Sequence, residues 1–324
     1  MVDRSHHPAI LFLTRHWAAE GSELAFVIRS MAGAVSRSRH VVILTPGPAG
    51  RTDHDGAFDL VRVGEGVCGG WPVPSETVWP SKVPGNTSIV VDELDDAAQG
   101  LLDSREGDGR VFSVYSSATG GNSVPLQFVP SPATGDCINI FVPVNPLAAA
   151  HRHNGLGFTG YVLVLSDRAG NITVNPPAPT VAWLTARFPT LDIVVVENGA
   201  AAAWRGRVLR GIIGIDTRTD LWRLLAHARV TIDLAPGPII ARECIESLLY
   251  GTPIVVPADS SAAAHARAGG GLTFTDIPGL FECMEEVGDP DVLSGLSTVG
   301  RQHAESHYGD PTRSIASMAP VVSG

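Results

Sequence analysis

The chain has 324 residues, a hydrophobic content of 44% and a formal net charge of −10 at pH 7. This length suits two domains of roughly 150 residues each, and the negative charge argues against a nucleic-acid partner, which would require a basic surface. No apolar run reaches the roughly 18 residues of a membrane helix, and the N-terminus lacks a cleavable secretory signal. We therefore expect a cytoplasmic protein, and peripheral contact with a membrane stays open.

The cysteines and lysines are few and give no metal or redox motif. Cys68, Cys137, Cys244 and Cys283 lie far apart and form no C-x-x-C pair, so we interpret them as small buried hydrophobic residues in a reducing compartment. Lys82 is the only lysine, so nearly all positive charge comes from arginine. Together with the abundance of alanine and glycine, this composition indicates a GC-rich bacterial genome.

The first half of the chain alternates predicted strands with predicted helices, which is typical of a parallel sheet covered by helices. The opening unit is strand, helix, strand, and more strands follow it at intervals. The predicted strands are 9–14, 40–46, 58–64, 88–94, 110–117 and 138–144, and the predicted helices are 22–35 and 95–104. The polar, turn-rich segment 145–160 then fits a linker between two domains.

A second run of strands and helices follows the linker. The predicted strands are 161–166, 192–197, 210–215 and 272–275, the predicted helices are 180–188 and 279–287, and the tail is helical with a break at Pro311. Within this run, residues 219–257 read as helix, strand, Gly-Pro corner, helix, a turn at Gly251 and strand. Because ligands bind beyond the carboxyl ends of strands, where helix N-termini offer N–H groups to anions, the corner at Ala235–Ile240 is a candidate anion site.

Three common active-site motifs are absent from the sequence. The only lysine lies in WPSKVPG, so no phosphate-binding P-loop exists. The first loop, TRHWAAEGSE, lacks the spaced glycines of a dinucleotide-binding fingerprint. No G-x-S-x-G segment occurs, so the nucleophile elbow of a serine hydrolase is also missing.

Two groups of polar residues allow more than one interpretation. His303 and His307 stand one helical turn apart and could bind a metal, but HAESH lacks the glutamate position of H-E-x-x-H, so a solvated helix face is favoured. The acidic segment 92–96, DELDD, follows a predicted strand, where it could contact a metal or a sugar. Acidic residues also favour the first turn of a helix, and this second interpretation is preferred.

Three segments resemble the motifs of one enzyme family. Residues 20–47, EGSELAFVIRSMAGAVSRSRHVVILTPG, resemble a Gly-Gly-x-Glu loop followed by a helix and the strand GH-x-V-x-V-x-T. Residues 219–236, TDLWRLLAHARVTIDLAP, resemble L-x-x-L-Y-x-x-A-D-x-x-x-x-P-S, and residues 245–256, IESLLYGTPIVV, resemble L-E-A-M-A-x-G-T-P-V-V. These are motifs of the retaining nucleotide-sugar glycosyltransferases of family 4, also called glycosyl transferases group 1, with the GT-B fold.

The resemblance implies an α/β GT-B fold with two Rossmann-like domains facing each other across a cleft. Residues 1–150 would form the N-terminal domain on the acceptor side, and residues 151–300 the C-terminal domain that binds the nucleotide-sugar donor. Residues 301–324 would form a helical tail that packs back on the N-terminal domain. The implied partners are a nucleotide sugar and an acceptor, which is a glycan, a glycolipid or a small molecule, and no oligomeric state is implied.

The resemblance also implies that the sugar is transferred with retention, without a metal ion and without a cofactor. It suggests roles for individual residues. Glu246 corresponds to the glutamate that hydrogen-bonds the donor ribose, a pairing in which an ionised acceptor is strong. Arg168 would clamp the diphosphate, with Arg205 or Arg207 as substitutes. The catalytic candidates are Arg168 and Tyr115, and the donor-binding candidates are Glu246, Glu243, Pro238, Ile239, Gly21, Ser22 and Thr252.

Three positions depart from the family pattern. Pro238 stands where a glutamate contacts the donor sugar, Tyr115 stands where a histidine ends a central strand, and the lysine of the diphosphate clamp is missing. These departures keep a second interpretation open, a catalytically degenerate GT-B protein that binds a nucleotide or a partner. Another GT-B enzyme, such as a sugar epimerase, is a third.

Overall fold

The computed structural model divides into two compact units, residues 1–143 with 311–324 (unit 1) and residues 144–310 (unit 2). The sequence-based boundaries were 150/151 and 300/301. The residues that the structure describes are 10–17, 23–47, 52–55, 58–64, 71–72, 87–104, 109–116, 123–128, 138–140, 142, 144, 160–166, 177–198, 204–208, 211–214, 218–234 and 240–322.

Strands and helices alternate along most of the chain. The strands are β1 Ile10–Leu13, β2 Val41–Thr45, β3 Thr52–Asp55, β4 Phe58–Arg62, β5 Ser88–Leu94, β6 Val111–Ser116, β7 Ser123–Phe128, β8 Ile138–Ile140, β9 Val162–Ser166, β10 Ile193–Asn198, β11 Trp204–Val208, β12 Gly211–Gly214, β13 Val230–Asp233, β14 Ile254–Pro257 and β15 Gly271–Phe274. The helices are α1 Glu23–Val35, α2 Asp96–Asp103, α3 Pro177–Arg187, α4 Arg218–His227, α5 Arg242–Leu249, α6 Ala263–His265, α7 Ile277–Glu286, α8 Pro290–Tyr308, α9 Pro311–Ser317 and α10 Ala319–Val322, and a π-helix, Ala266–Gly270, follows α6 directly.

Unit 1 is built on an eight-stranded sheet with the order β3-β4-β2-β1-β5-β6-β7-β8. All its neighbouring strands are parallel except β3, which pairs antiparallel with β4. β1 and β2 are buried along their whole length, as expected for parallel strands with both faces covered. After α1 the chain moves from β1 to β2 on one side, and it later returns to place β5 on the other side. The strand order therefore reverses between β1 and β5.

Unit 2 is built on a seven-stranded sheet of order β12-β11-β10-β9-β13-β14-β15, in which β11 pairs antiparallel with β10 and β12 and the other neighbours are parallel. Here the order reverses between β9 and β13, which pair parallel with Leu165 opposite Asp233. Helices α4 and α5 lie on this half of the sheet, with Leu221, Leu224 and Leu225 fully buried. In open sheets of this type ligands bind beyond the carboxyl ends of the strands where the order reverses, so each unit has one such place.

The predicted stop after α5 is confirmed. Gly251 has a φ of 79°, a left-handed conformation that glycine adopts without a Cβ penalty. Helix α8 fixes this turn, because Ser297 Oγ donates to the carbonyl of Gly251 at 2.6 Å and the Arg301 guanidinium donates to the carbonyl of Tyr250 at 2.6 Å.

Three strands were not predicted, and the tail differs in detail. β7 contains Pro125, which obscures its strand pattern, and β3 and β11 carry polar sequences, TDHD and WRGRV. In the tail, α8 ends at Tyr308 and α9 begins at Pro311, as the proline predicts, and α9 contacts α1 and β8 of unit 1. Among the described residues, no helix combines the length and apolar character that crossing a membrane requires.

Candidate functional site

The first candidate site is the segment between β13 and α5, residues 233–242, which we call the β13–α5 corner. It begins at Asp233 and ends at Arg242, and residues 235–239 are outside the described part of the chain. Ala241 caps α5 with φ 51° and ψ 58° and is fully buried. A left-handed alanine costs roughly 1–2 kcal/mol, and such backbone conformations persist where the surrounding structure holds them, often at ligand sites. The corner is therefore a strained entry into a helix at the point where the strand order reverses.

A buried ion pair lies on the first two turns of α5. The Glu246 side chain has no exposed surface, and its Oε1 accepts a hydrogen bond from Arg242 Nε at 2.8 Å. Arg242 remains 20% exposed, so its guanidinium connects the buried carboxylate to the surface. Glu243 is also buried, at 4% exposure, on the same helix. Two carboxylates and one guanidinium thus surround the start of α5.

Side-chain hydrogen bonds to neighbouring elements hold α5 in place. The Cys244 thiol donates to Asp233 Oδ2 at 3.2 Å, and Ser247 Oγ donates to Thr231 Oγ1 at 2.8 Å. Thr252 Oγ1 donates to the carbonyl of Leu225 at 2.7 Å and is 3% exposed. These bonds tie α5 to β13 and α4. The contact of Thr252 belongs to packing, and its role in donor binding stays a prediction.

The remaining predicted site residues lie away from the start of α5 or outside the described part of the chain. Arg168 comes two residues after the end of β9 at Ser166. β9 pairs in parallel with β13, so the carboxyl ends of both strands lie at the same edge of the sheet. Tyr115 lies on β6 opposite Glu93 of β5. The structure does not describe Gly21, Ser22, Arg168, Pro238 or Ile239, nor the side chains of Arg205, Arg207 and Tyr115.

A second candidate site, in unit 1, was not predicted as a group. It comprises Thr14, Arg15, His16, Asp92, Glu93 and Asp95, which we call the β1–β5 cluster. Arg15 Nη2 lies 2.6 Å from Asp95 Oδ2, and Arg15 Nη1 lies 4.0 Å from Glu93 Oε2. His16 Nε2 lies 3.8 Å from Glu93 Oε2. The cluster occupies the carboxyl ends of β1 and β5, where the strand order of unit 1 reverses.

Burial and hydrogen bonding separate the carboxyl groups of the β1–β5 cluster. Asp92 is fully buried, and desolvation raises its pKa, although the hydrogen bond from Thr14 Oγ1 at 2.5 Å and the nearby His16 oppose this shift. Desolvation also raises the pKa of Asp95, but hydrogen bonds from the Ala98 N–H and from Arg15 outweigh it, and the net pKa is lowered. Of these two aspartates, Asp92 therefore takes up a proton more readily than Asp95.

The preferred interpretation of the acidic segment 92–96 is confirmed only for its second half. Asp95 is the N-cap of α2 and accepts from the Ala98 N–H at 2.8 Å, as a helix start requires. Asp92 and Glu93 instead lie on β5 beside the loop that follows β1. The signal that could have located them is the predicted β-α-β order, because parallel strands bring the Thr14 loop and Asp92 to the same edge although 78 residues separate them.

The described residues contain no evident set of metal ligands. No group of three or more histidine, cysteine, aspartate and glutamate side chains is arranged to hold an ion there. The favoured interpretation of His303 and His307 as a solvated face is wrong for His303, whose Nε2 lies 3.3 Å from Nδ1 of buried His265.

Comparison with known proteins gives matches by structure and none by sequence. No protein-family model matches the chain, and neither does any curated protein sequence. WaaG, a glycosyltransferase involved in lipopolysaccharide biosynthesis, superposes with a TM-score of 0.62 at 11% identity, covering 96% of this chain and 99% of that chain. Sucrose-phosphate synthase from Thermosynechococcus elongatus gives a TM-score of 0.62 at 12% identity, covering 97% and 98%.

A further match is a protein from Listeria monocytogenes described as a UDP-N-acetylglucosamine 2-epimerase, with a TM-score of 0.56 at 11% identity, covering 98% of this chain and 96% of that chain. The predicted α/β GT-B fold is confirmed by these matches. At such identities the likeness concerns the fold alone, and the same fold carries different reactions.

Proposed function

We propose that the protein is a glycosyltransferase that moves a sugar from a nucleotide-sugar donor to an acceptor, with retention and without a metal ion. The observation that carries this proposal is the β13–α5 corner. It places a buried glutamate and a partly exposed arginine at the start of a helix, where the strand order of a GT-B unit reverses. The glycosyltransferases of similar fold, WaaG among them, support the reaction class.

In this proposal unit 2 holds the donor. Glu246 accepts hydrogen bonds from the ribose hydroxyls, and Arg242 orients the carboxylate through a hydrogen bond of 2.8 Å. Arg168, which follows β9, stabilises the negative charge of the departing diphosphate, so no metal is required. Pro238 and Ile239 complete the donor surface of the corner, and the buried Glu243 and Thr252 would support it from α5 and from the turn that follows α5.

Unit 1 holds the acceptor. The β1–β5 cluster offers carboxylates and a histidine, which are good partners for sugar hydroxyl groups, and Trp71 lies under the Arg15 guanidinium at 5.8 Å from the ring centroid. We propose that Glu93 and His16 contact the acceptor, because about a third of each side chain is exposed, whereas Asp95, at 29%, is engaged as the N-cap of α2. Gly21, Ser22 and Tyr115 would border the same region.

Calorimetric titration with UDP, GDP, ADP and dTDP and their hexose conjugates tests the donor assignment. We expect the nucleotides of one base to bind with a micromolar dissociation constant and the matching sugar nucleotide to be hydrolysed slowly when no acceptor is present. EDTA should change neither the binding nor the hydrolysis. Retention is read by NMR from the anomeric configuration of the released sugar. Inversion would overturn the mechanism but not the reaction class.

The second candidate is a catalytically degenerate GT-B protein, and Pro238 at the position of the sugar-contacting glutamate favours it. This candidate predicts nucleotide binding without hydrolysis or transfer, or no nucleotide binding at all. An epimerase would convert the sugar while leaving the nucleotide diphosphate attached, so product analysis by mass spectrometry and NMR separates the three outcomes.

A further inference from the structure

A row of histidines in unit 2 lies against the β13–α5 corner. His265, at the end of α6, is 1% exposed, and its Nε2 lies 3.4 Å from the carbonyl oxygen of Ile240. Its Nδ1 lies 3.3 Å from Nε2 of His303 on α8. Ile240 immediately precedes the left-handed Ala241. The two histidines therefore form a chain from α8 to the backbone of the corner.

The chemistry of the partners determines which nitrogen atoms carry protons. A carbonyl oxygen can only accept a hydrogen bond, so Nε2 of His265 must carry the hydrogen. In a neutral imidazole Nδ1 is then an acceptor, so His303 must present an N–H from its Nε2. Burial lowers the pKa of His265 to about 3, and burial and then His307 lower the pKa of His303 to about 4. Both rings are thus neutral at physiological pH, as this chain of donors requires.

The backbone on both sides of His265 is irregular. The π-helix Ala266–Gly270 begins at the next residue, and Gly269 within it has a φ of 96°. Gly269 is not helical, so the chain bends sharply within five residues of His265. On the other side of the ring, Ala241 holds its own strained conformation. A ring that bonds Ile240 is well placed to maintain that strain, since it fixes the peptide group that enters Ala241.

We propose that His265 and His303 are positioning residues, which hold the Ile240 carbonyl and thereby the β13–α5 corner in the form that binds the donor nucleotide. This inference rests on the proposed function, since it concerns the same corner. Neither histidine needs to touch the nucleotide. His303 holds the His265 ring in place by donating to its Nδ1, and His265 fixes the backbone from which α5, with Arg242 and Glu246, begins.

The test compares variants that keep or remove the N–H of His303. In H303Q the side-chain amide can still donate to His265 Nδ1, whereas in H303L it cannot. We expect H303L to weaken binding of the tightest nucleoside diphosphate in the UDP, GDP, ADP and dTDP panel roughly three- to tenfold, the equivalent of one neutral hydrogen bond. H303Q should restore binding to within about twofold. Equal losses in both variants would overturn the proposal.

The matched control is His307, one turn along α8. Its Nδ1 lies 2.8 Å from the carbonyl of His303, so its described polar contacts stay within its own helix and outside the chain to Ile240. H307L should bind the nucleotide like the native protein. A loss in H307L as large as that in H303L would mean that any change in α8 disturbs the site, and this result would count against the specific chain.

A spectroscopic readout keeps the inference separate from the proposed function. Imidazole ¹⁵N shifts should show the Nε2–H tautomer for both His265 and His303, and H303L should shift the resonance of His265 Nδ1, which loses its hydrogen-bond donor. This result stands even if no nucleotide binds, in which case the proposed function fails while the hydrogen-bonded chain is upheld. An Nδ1–H tautomer for His265 would overturn the chain regardless of any binding result.

Discussion

Replacing Arg242 and Glu246 singly and together tests whether the buried pair of α5 supports the fold, the ligand or both. In R242M an apolar chain of similar length keeps the packing, but the carboxylate, which has no exposed surface, loses a guanidinium at 2.8 Å. Breaking a buried pair typically costs 3–5 kcal/mol. Because Arg242 is 20% exposed and water can reach the site, we expect about 3 kcal/mol.

The other two variants give the coupling energy. In E246Q the remaining guanidinium can turn toward solvent, so we expect a loss of only about 1 kcal/mol. R242M/E246Q removes both charges and should lose about 1.5 kcal/mol, well below the sum of the single losses. The coupling is then about 2.5 kcal/mol, measured by urea unfolding at pH 7. Additive losses, with a coupling below about 0.5 kcal/mol, would refute the pairing as a stabilising contact.

Nucleotide titration of the same variants separates structure from binding. If Glu246 accepts the ribose hydroxyls, E246Q loses hydrogen bonds to a charged group, worth about 1.5–3 kcal/mol, and the dissociation constant rises roughly ten- to a hundredfold. The control E282Q makes the same chemical change at an exposed position of α7 and should alter neither stability nor binding. Native affinity in E246Q would assign Glu246 to the fold alone.

Three further predictions concern stability. D92N removes a fully buried carboxyl group whose pKa burial raises, so it should increase the free energy of unfolding at pH 7 by about 1 kcal/mol while it weakens acceptor transfer; lower stability would contradict this. Burial, aided by His303 and His307, lowers the pKa of His265 to about 3. Because the unfolded state then binds a proton more readily than the folded state, the free energy that neutral His265 contributes to stability is fully present above about pH 6.5. It falls toward pH 3 by up to about 1.4 kcal/mol per pH unit. H265Q should flatten that slope in urea titrations between pH 6 and 4.5. G251A places a Cβ at a φ of 79° against the Arg301 guanidinium and should cost about 1–2 kcal/mol, whereas G295A, exposed on α8 with no atom within 4 Å, should gain about 0.5–1 kcal/mol in thermal melts.

The parts of the fold that follow from local pattern were predictable. The buried runs of β1, β2 and β5 and the amphipathic α1 have the periodicity of their elements, and Gly251 and Pro311 mark helix ends by their backbone preferences. β7 was missed because Pro125 breaks the strand pattern, yet it pairs in parallel with β6 with Pro125 opposite Ser113. β11 was missed because its two arginines and a glycine give no apolar run. The segment is a strand because it pairs with β10, and that pairing cannot be seen in its own sequence.

The candidate sites show where sequence patterns stop being informative. Glu246 was identifiable because it lies in a continuous motif with the Gly251 turn. Arg15 and Asp95 lie 80 residues apart, and only the parallel order of β1 and β5 brings them to 2.6 Å. His265 and His303 likewise depend on the packing of α8 against the π-helix, which periodicity does not contain. Contacts between distant segments need the topology first.

The charges at the two reversal points argue for different ligands in the two units. The β1–β5 cluster sets three carboxyl groups, those of Asp92, Glu93 and Asp95, against the single guanidinium of Arg15, so it repels phosphate and suits a neutral or cationic acceptor rich in hydroxyl groups. The β13–α5 corner also has three carboxyl groups and one guanidinium, but Asp233, Glu243 and Glu246 are buried there, so the partly exposed charge is that of Arg242 at the start of a helix. Under the proposed function we therefore expect an anionic diphosphate to bind at the corner of unit 2 and not at the cluster of unit 1. Because both sheets reverse their strand order beside their first strand, this division follows from the residues that each unit places at the carboxyl ends of its strands.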